Sequence, residues 1–165
     1  MRTLMAKPAV ATLLALMCAL SGCKSAPPVL KPPKISMSVS MGADVNPDLN
    51  GKAAPVVVRI YQLKDDAAFS AADFFALYDK EQMTLGPALI ERQEFELAPG
   101  EQRTFDYPVP PDARFIGAIA AFRDIRNAQW RAVAPAPKQE PQKEAKKIPL
   151  AVAVERLTIT LSTMN

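Results

Sequence analysis

The chain has 165 residues, enough for one domain with a core of its own, and 49% of them are hydrophobic. Its formal charge of +3 falls to +1 once residues 1–22 are set aside, because Arg2 and Lys7 are the only charged residues there and 18 basic side chains then face 17 acidic ones. So even a balance excludes the basic stripe that nucleic-acid binding needs, and the complete absence of histidine excludes Ser-His-Asp and Cys-His catalysis and the commonest zinc ligand sets.

Arg2 and Lys7 form a positive start, followed by a continuous apolar run from Ala9 to Leu20 broken only by Thr12. About a dozen apolar residues is the length of a signal peptide, whereas a membrane-spanning helix needs about 20. Ser21 and Gly22 then precede Cys23, and Leu20-Ser21-Gly22-Cys23 resembles the lipobox of bacterial lipoproteins. That resemblance implies diacylation of the Cys23 thiol, cleavage before it and acylation of the new amino group. Two or more acyl chains hold a protein on a membrane stably, where one holds it only marginally. Lys24 follows, where aspartate would favour inner-membrane retention in such lipoproteins, and so points to the outer membrane. The alternative is a plain signal peptide with an incidental cysteine. Cys18 would leave with the leader and Cys23 would carry lipid, so no disulfide is expected. The domain plan is a signal peptide over 1–22, a lipidated proline-rich tether over 23–34, and a folded domain over 35–165.

The tether holds two Pro-Pro pairs and three lysines between Lys24 and Lys34. Proline lacks an N–H and has a fixed φ, so this composition favours extended polyproline II. From Ile35 to Met41 apolar residues alternate with serine, which predicts a half-buried strand with Ile35, Met37, Val39 and Met41 inward. Asn46-Pro47 and Asn50-Gly51 are turn formers, and they predict a structured, exposed loop from Gly42 to Pro55. Val56–Leu63 is β-branched and aromatic, a second strand with Val56, Val58 and Ile60 toward the core and Arg59 and Tyr61 on the other face. Ser70-Ala71-Ala72-Asp73 has the spacing of a capping box. Ala71, Phe74, Phe75, Leu77 and Tyr78 then follow at helical intervals, predicting one short amphipathic helix packed on a sheet.

Leu89–Leu97 predicts a polar third strand, Ala98–Glu101 a turn, and Thr104–Tyr107 a strand stopped by Pro108, Pro110 and Pro111. Phe115–Phe122 is continuously apolar, as a strand buried on both faces would be, with Gly117 and the alanines leaving room for a close neighbour. Trp130–Val133 predicts a short strand. Residues 134–149, rich in proline and lysine, predict a mobile surface loop. Leu157–Ser162 alternates again and predicts a closing strand with Leu157, Ile159 and Leu161 inward. Short alternating runs with one helical insertion give a mainly β, two-layer β-sandwich rather than a βαβ plan.

Little here carries catalytic chemistry. Asp65 and Asp66 fall in a loop, and Glu91, Glu94 and Glu96 on a polar strand, where solvated carboxylates are ordinary; nothing predicts the convergence on one cleft that glycosidase chemistry needs. No GxGxxG, GxxxxGK or GxSxG string occurs. Arg123, Asp124 and Arg126 after the buried strand read as local ion pairing, and Trp130 reads as core. No metal, cofactor or catalytic residue is expected.

Several pieces nonetheless stand in a telling order. They are the lipobox, the loop through Asn46-Pro47-Asp48 to Gly51, the run Pro55–Leu63, Phe69, and Asp73–Tyr78. Leu97-Ala98-Pro99-Gly100, Ile116-Gly117 through Phe122-Arg123-Asp124, and Trp130-Arg131 complete the series. Together they resemble the TssJ (also VasD or SciN) lipoproteins of the bacterial type VI secretion system over nearly the whole domain. The stretch around 135–148 departs from the family in being longer and more charged. The resemblance implies a transthyretin-like β-sandwich with a helical addition and a non-enzymatic role on the periplasmic face of the outer membrane. There the lipoprotein, anchored in lipid through Cys23, would tether the periplasmic domain of TssM within a TssJ–TssL–TssM complex. It further implies that the loop between the first two strands makes the contact, here Asn46, Pro47, Asp48, Leu49, Asn50 and Gly51. A generic periplasmic ligand-binding or inhibitor module on the same sandwich is the competing expectation.

Overall fold

The computed structural model describes residues 34–137 and 147–163. The leader, Cys23 and nearly all of the tether lie outside them. Eight strands form two four-stranded sheets, ordered β4-β1-β7-β8 and β3-β2-β5-β6. In chain order these are β1 (Lys34–Met41), β2 (Val56–Leu63), β3 (Leu89–Leu97), β4 (Gln102–Pro108), β5 (Phe115–Ala120), β6 (Arg131–Pro135), β7 (Lys147–Glu155) and β8 (Thr158–Thr163). Three short helices, α1 (Ala67–Ala71), α2 (Phe74–Asp79) and α3 (Glu81–Leu85), and a 3₁₀ turn over Gly86–Ala88 connect β2 to β3. The two-sheet sandwich is the expected fold class.

The alternation of β1 works as predicted. Ile35, Met37, Val39 and Met41 are buried while the serines between them are half-buried. β1 pairs antiparallel with β4 and parallel with β7, setting Met37 opposite Leu150 and Val39 opposite Val152. Val56, Val58 and Ile60 of β2 face these residues across the sandwich in one buried cluster. Complete burial of an aliphatic side chain of this size contributes about 1.5–3 kcal/mol, so this cluster is the main hold between the sheets.

Sequence reasoning missed β7. Ile148, Leu150, Val152 and Val154 alternate with small residues, but the alanines between them and the Pro/Lys-rich run before them mask the period. The expected 134–149 loop is correspondingly shorter. Ala134 and Pro135 finish β6, Lys147–Pro149 open β7, and residues 138–146 lie outside the described residues. Leu157, expected inward on the last strand, sits half-buried in the β7–β8 turn.

The other face of the second sheet carries the helices. Tyr61, Leu63 and Ile119 form a second cluster with Phe69, Phe74, Leu77 and Leu85. Gly117 permits the contact: a Cβ there would lie 2.7 Å from Phe69 Cζ. The single expected helix is three, and its cap is displaced. Ser70 lies inside α1, whose first N–H, at Ala67, is accepted by Asp65 at 2.9 Å. Asp73 is the N-cap of α2 and accepts the Ala76 N–H at 2.8 Å. Trp130 is half-buried, touches both clusters, and meets Phe74 edge-on at 5.4 Å. Its role as core follows.

Arg59 joins sheet to helices. Its guanidinium bonds Glu94 at 2.6 Å and the Tyr78 carbonyl at 2.6 Å, and lies 4.0 Å above the Tyr78 ring. Burial opposes this charge, but Glu94 and Tyr61 outweigh it and raise the Arg59 pKa. Glu94 and Glu81 also hold Arg92 at 3.0 and 3.2 Å, so these carboxylates serve the fold.

Candidate partner-binding surface

Strand directions decide which loops share an end. The C-terminus of β1 feeds residues 42–55, and parallel β7 ends beside it in the turn at Arg156 and Leu157. β2 begins where the first loop closes. β3 and β5 run antiparallel to β2, so the turn at 98–101 and the long β5–β6 connection over 121–130 come to the same end. Lys34, where the chain enters the domain, lies at the opposite end.

Asn46 organises this end. It is buried at 2% exposure and adopts a positive φ of 51°, a conformation asparagine tolerates better than most residues. Its backbone N–H donates to the Arg156 carbonyl at 2.7 Å. Its side-chain Nδ2 donates to the Pro55 carbonyl at 2.9 Å, and its Oδ1 accepts the Arg123 N–H at 2.8 Å. One side chain thus ties the first loop to its own exit and to the β5–β6 connection, while the backbone ties it to the β7–β8 turn. The expectation of a structured, exposed loop is corrected at Val45, Asn46 and Ala54, which are buried, and Asn46 shapes the surface from beneath.

Beyond Asn46 the loop projects as a fixed tip. Asp48 Oδ1 accepts from the N–H groups of Asn50 and Lys52 at 2.8 and 2.9 Å. The Asp48 N–H donates to the Lys52 carbonyl and its carbonyl accepts from Gly51, both at 2.9 Å. Gly51 takes φ 80°, which closes the turn without a Cβ penalty. Pro47 and Asp48 are half-buried, Asn50 and Gly51 exposed, and Leu49 stands fully in solvent at 106%. A lone exposed leucine is common; this one is held in place by a loop tip fixed by four hydrogen bonds.

Beside this tip lies a broad concavity of about 550 Å³. Pro47, Asp48 and Leu49 form one wall; Arg123, Asp124, Arg126 and Asn127 form a second; Arg156 and Leu157 form a third. The expected ion pairing of Asp124 with its neighbouring arginines does not occur: its carboxylate accepts from Asn127 Nδ2 at 2.8 Å. Arg156 approaches Asp44 at 3.7 Å, an exposed pair of little energetic weight. Sequence reasoning did not place these arginines with the loop, because only the antiparallel return of β5 brings residue 123 to residue 46. No group of three or more Cys, Asp or Glu that could hold a metal occurs among the described residues.

Comparison with known proteins shows the family. Residues 33–157 match the family described as type VI secretion lipoprotein, VasD, EvfM, TssJ, VC_A0113. The type VI lipoprotein TssJ1 of Pseudomonas aeruginosa is 35% identical, with a TM-score of 0.74 over 81% of this chain and 98% of that one. Lip of Serratia marcescens, a membrane-bound component of the type VI secretion system, is 26% identical, with a TM-score of 0.71 over 81% of this chain and 97% of that one. A chain in the structure described as the TssM C-terminal domain (869-1107) from EAEC is 29% identical, with a TM-score of 0.63 over 79% of this chain and 98% of that one. Curated protein sequences give no match. On its matched residues and its fold, the chain belongs to the TssJ/VasD family of type VI secretion lipoproteins.

Proposed function

We propose that this lipoprotein is a non-enzymatic tether. Acyl chains on Cys23 hold it in the outer membrane, and the loop over residues 42–55 holds the periplasmic domain of TssM within the secretion membrane complex. In this reading residues 1–22 are removed and residues 23–34, of which Lys34 already opens β1, space the domain from the lipid. The carrying observation is directional. The chain enters at Lys34 and the Asn46-braced loop begins at the far end of β1, about 25 Å away at a strand's rise of about 3.3 Å per residue. Lipid at one end and a pre-organised loop at the other suit a protein that bridges two attachments. The occurrence of a similar chain in a structure named for the TssM C-terminal domain supports TssM as the partner.

Replacing Pro47–Gly51 with a Gly/Ser linker, with Asn46 kept, tests the loop in a pull-down of the TssM periplasmic domain from detergent-solubilised envelope. The expected result is loss of TssM with an unchanged unfolding midpoint; undiminished recovery would move the contact elsewhere. Cys23→Ser tests the anchor. The variant is expected in the soluble periplasmic fraction, and continued membrane association would refute the lipid attachment.

A further inference from the structure

We infer that the loop end is a composite docking surface in which Arg123 and Arg126 bind an acidic segment of the protein partner, alongside the apolar contact made by Leu49. The inference rests on the reading above and adds the chemistry of what the site takes. Both arginines are exposed on the β5–β6 connection and line the concavity next to the Pro47–Leu49 wall. Neither guanidinium has a hydrogen bond or ion pair among the described residues, whereas the acidic neighbours are engaged: Asp48 closes the loop tip and Asp124 holds Asn127. With Arg156, three guanidiniums line the concavity against the two carboxylates of Asp48 and Asp124, so it carries an excess of positive charge, and a guanidinium's planar fork fits a carboxylate.

The position of these cations is held rather than incidental. The Arg123 backbone N–H is bonded to Asn46 Oδ1, so the residue carrying the charge and the loop carrying Leu49 share one brace. Phospholipid headgroups of the anchoring membrane are poor candidates, because Lys34, nearest the anchor in sequence, is at the other end of the sandwich. An acidic protein segment with an apolar residue beside it matches both the charge and Leu49.

The test measures binding of the purified TssM periplasmic domain to the soluble domain at 50 and 500 mM NaCl, roughly spanning strong to weak screening of exposed charges. The wild type is expected to weaken by about tenfold across that range, and R123E/R126E to weaken by about tenfold or more at low salt with a much flatter salt response. Lys64→Glu, just past the C-terminus of β2 at the opposite end, where Lys64 pairs with Asp112 at 3.0 Å, is the charge control and is expected to bind as wild type. Because both arginines are exposed and the Arg123 N–H survives substitution, the unfolding midpoint should not move. If R123E/R126E binds and responds to salt as wild type while the Pro47–Gly51 replacement still abolishes binding, the cationic surface is refuted and the tether reading stands. If the wild type itself does not bind, both fall.

Discussion

Asn46 Oδ1 accepts the backbone N–H of Arg123 at 2.8 Å, linking residues 77 apart in sequence. The other end of the same amide donates to the Pro55 carbonyl at 2.9 Å. Asn46→Ala would leave two part-buried backbone groups, the Pro55 carbonyl and the Arg123 N–H, without this partner, at about 0.5–1.5 kcal/mol each, and would place a Cβ without side-chain hydrogen bonding at φ 51°, at about 1 kcal/mol. The expected outcome is a loss of about 2–4 kcal/mol in urea unfolding, with weakened binding of the TssM periplasmic domain because the first loop loses its side-chain ties to its own exit and to the β5–β6 connection, while the backbone bond to the β7–β8 turn remains. A change below about 0.5 kcal/mol would show that the brace is dispensable.

Leu49 should behave in the opposite way. Its side chain is fully exposed, so Leu49→Ala removes no core contact and the unfolding midpoint should stay within about 1 °C. Binding of the TssM periplasmic domain should weaken by about tenfold or more if Leu49 is the central apolar anchor of the interface. Surface plasmon resonance on the two variants side by side separates an effect on the shape of the site from the loss of a direct contact.

These two residues also show how far the sequence could be read. Ile35–Met41 was legible because burial on one face alternates apolar residues with serine, and Val56–Leu63, buried on both faces, because its β-branched and aromatic residues favour a strand. The loop was legible because Asn46, Pro47, Asn50 and Gly51 are turn formers. The inward position of Asn46 was not, since a turn-forming asparagine looks the same whether its amide faces water or two distant backbone groups. Arg123 and Arg126 were visible as charges, but their place beside the loop depends on the antiparallel return of β5, a long-range pairing that no local pattern encodes. β7 was hidden because Ala151 and Ala153, which separate Leu150, Val152 and Val154, are neither polar nor bulky. The helix cap was misplaced by three residues because Ser70 and Asp73 are both good caps, and only the break at Ala72 decides between them.

Gly117 makes a sharper packing prediction. A Cβ there meets three atoms of the Phe69 ring at 2.7, 2.9 and 3.0 Å, and Phe69, carried on α1, is wholly buried. Gly117→Ala should cost about 1–3 kcal/mol, the usual penalty for overpacking a filled core. Phe69→Leu costs stability alone but frees the space, so the double variant should be less destabilised than the sum of the two. A double-mutant cycle showing simple additivity would mean that the ring moves aside without strain.

Two buried tyrosines predict the alkaline limit of the fold. The Tyr61 hydroxyl is buried without a hydrogen-bond partner among the described residues, and burial pushes its pKa up to about 12 even though Arg59 opposes the shift. Burial raises Tyr107 further, with Glu91 adding to the effect and Gln62 opposing it. An unfolded tyrosine ionises near its ordinary value of about 10. Above that pH the unfolded chain sheds protons that the folded chain retains, so stability falls as pH rises, from about 10 to about 12 for Tyr61 and beyond for Tyr107. Each tyrosine should add at most about 1.4 kcal/mol per pH unit to that slope. Tyr61→Phe with Tyr107→Phe removes hydroxyls that make no hydrogen bond among the described residues, so stability at pH 7 should change by no more than about 1 kcal/mol. The same pair of substitutions should flatten the decline measured by urea unfolding between pH 9.5 and about 11.5. A double variant that loses stability as steeply as the wild type would assign the alkaline limit to other groups.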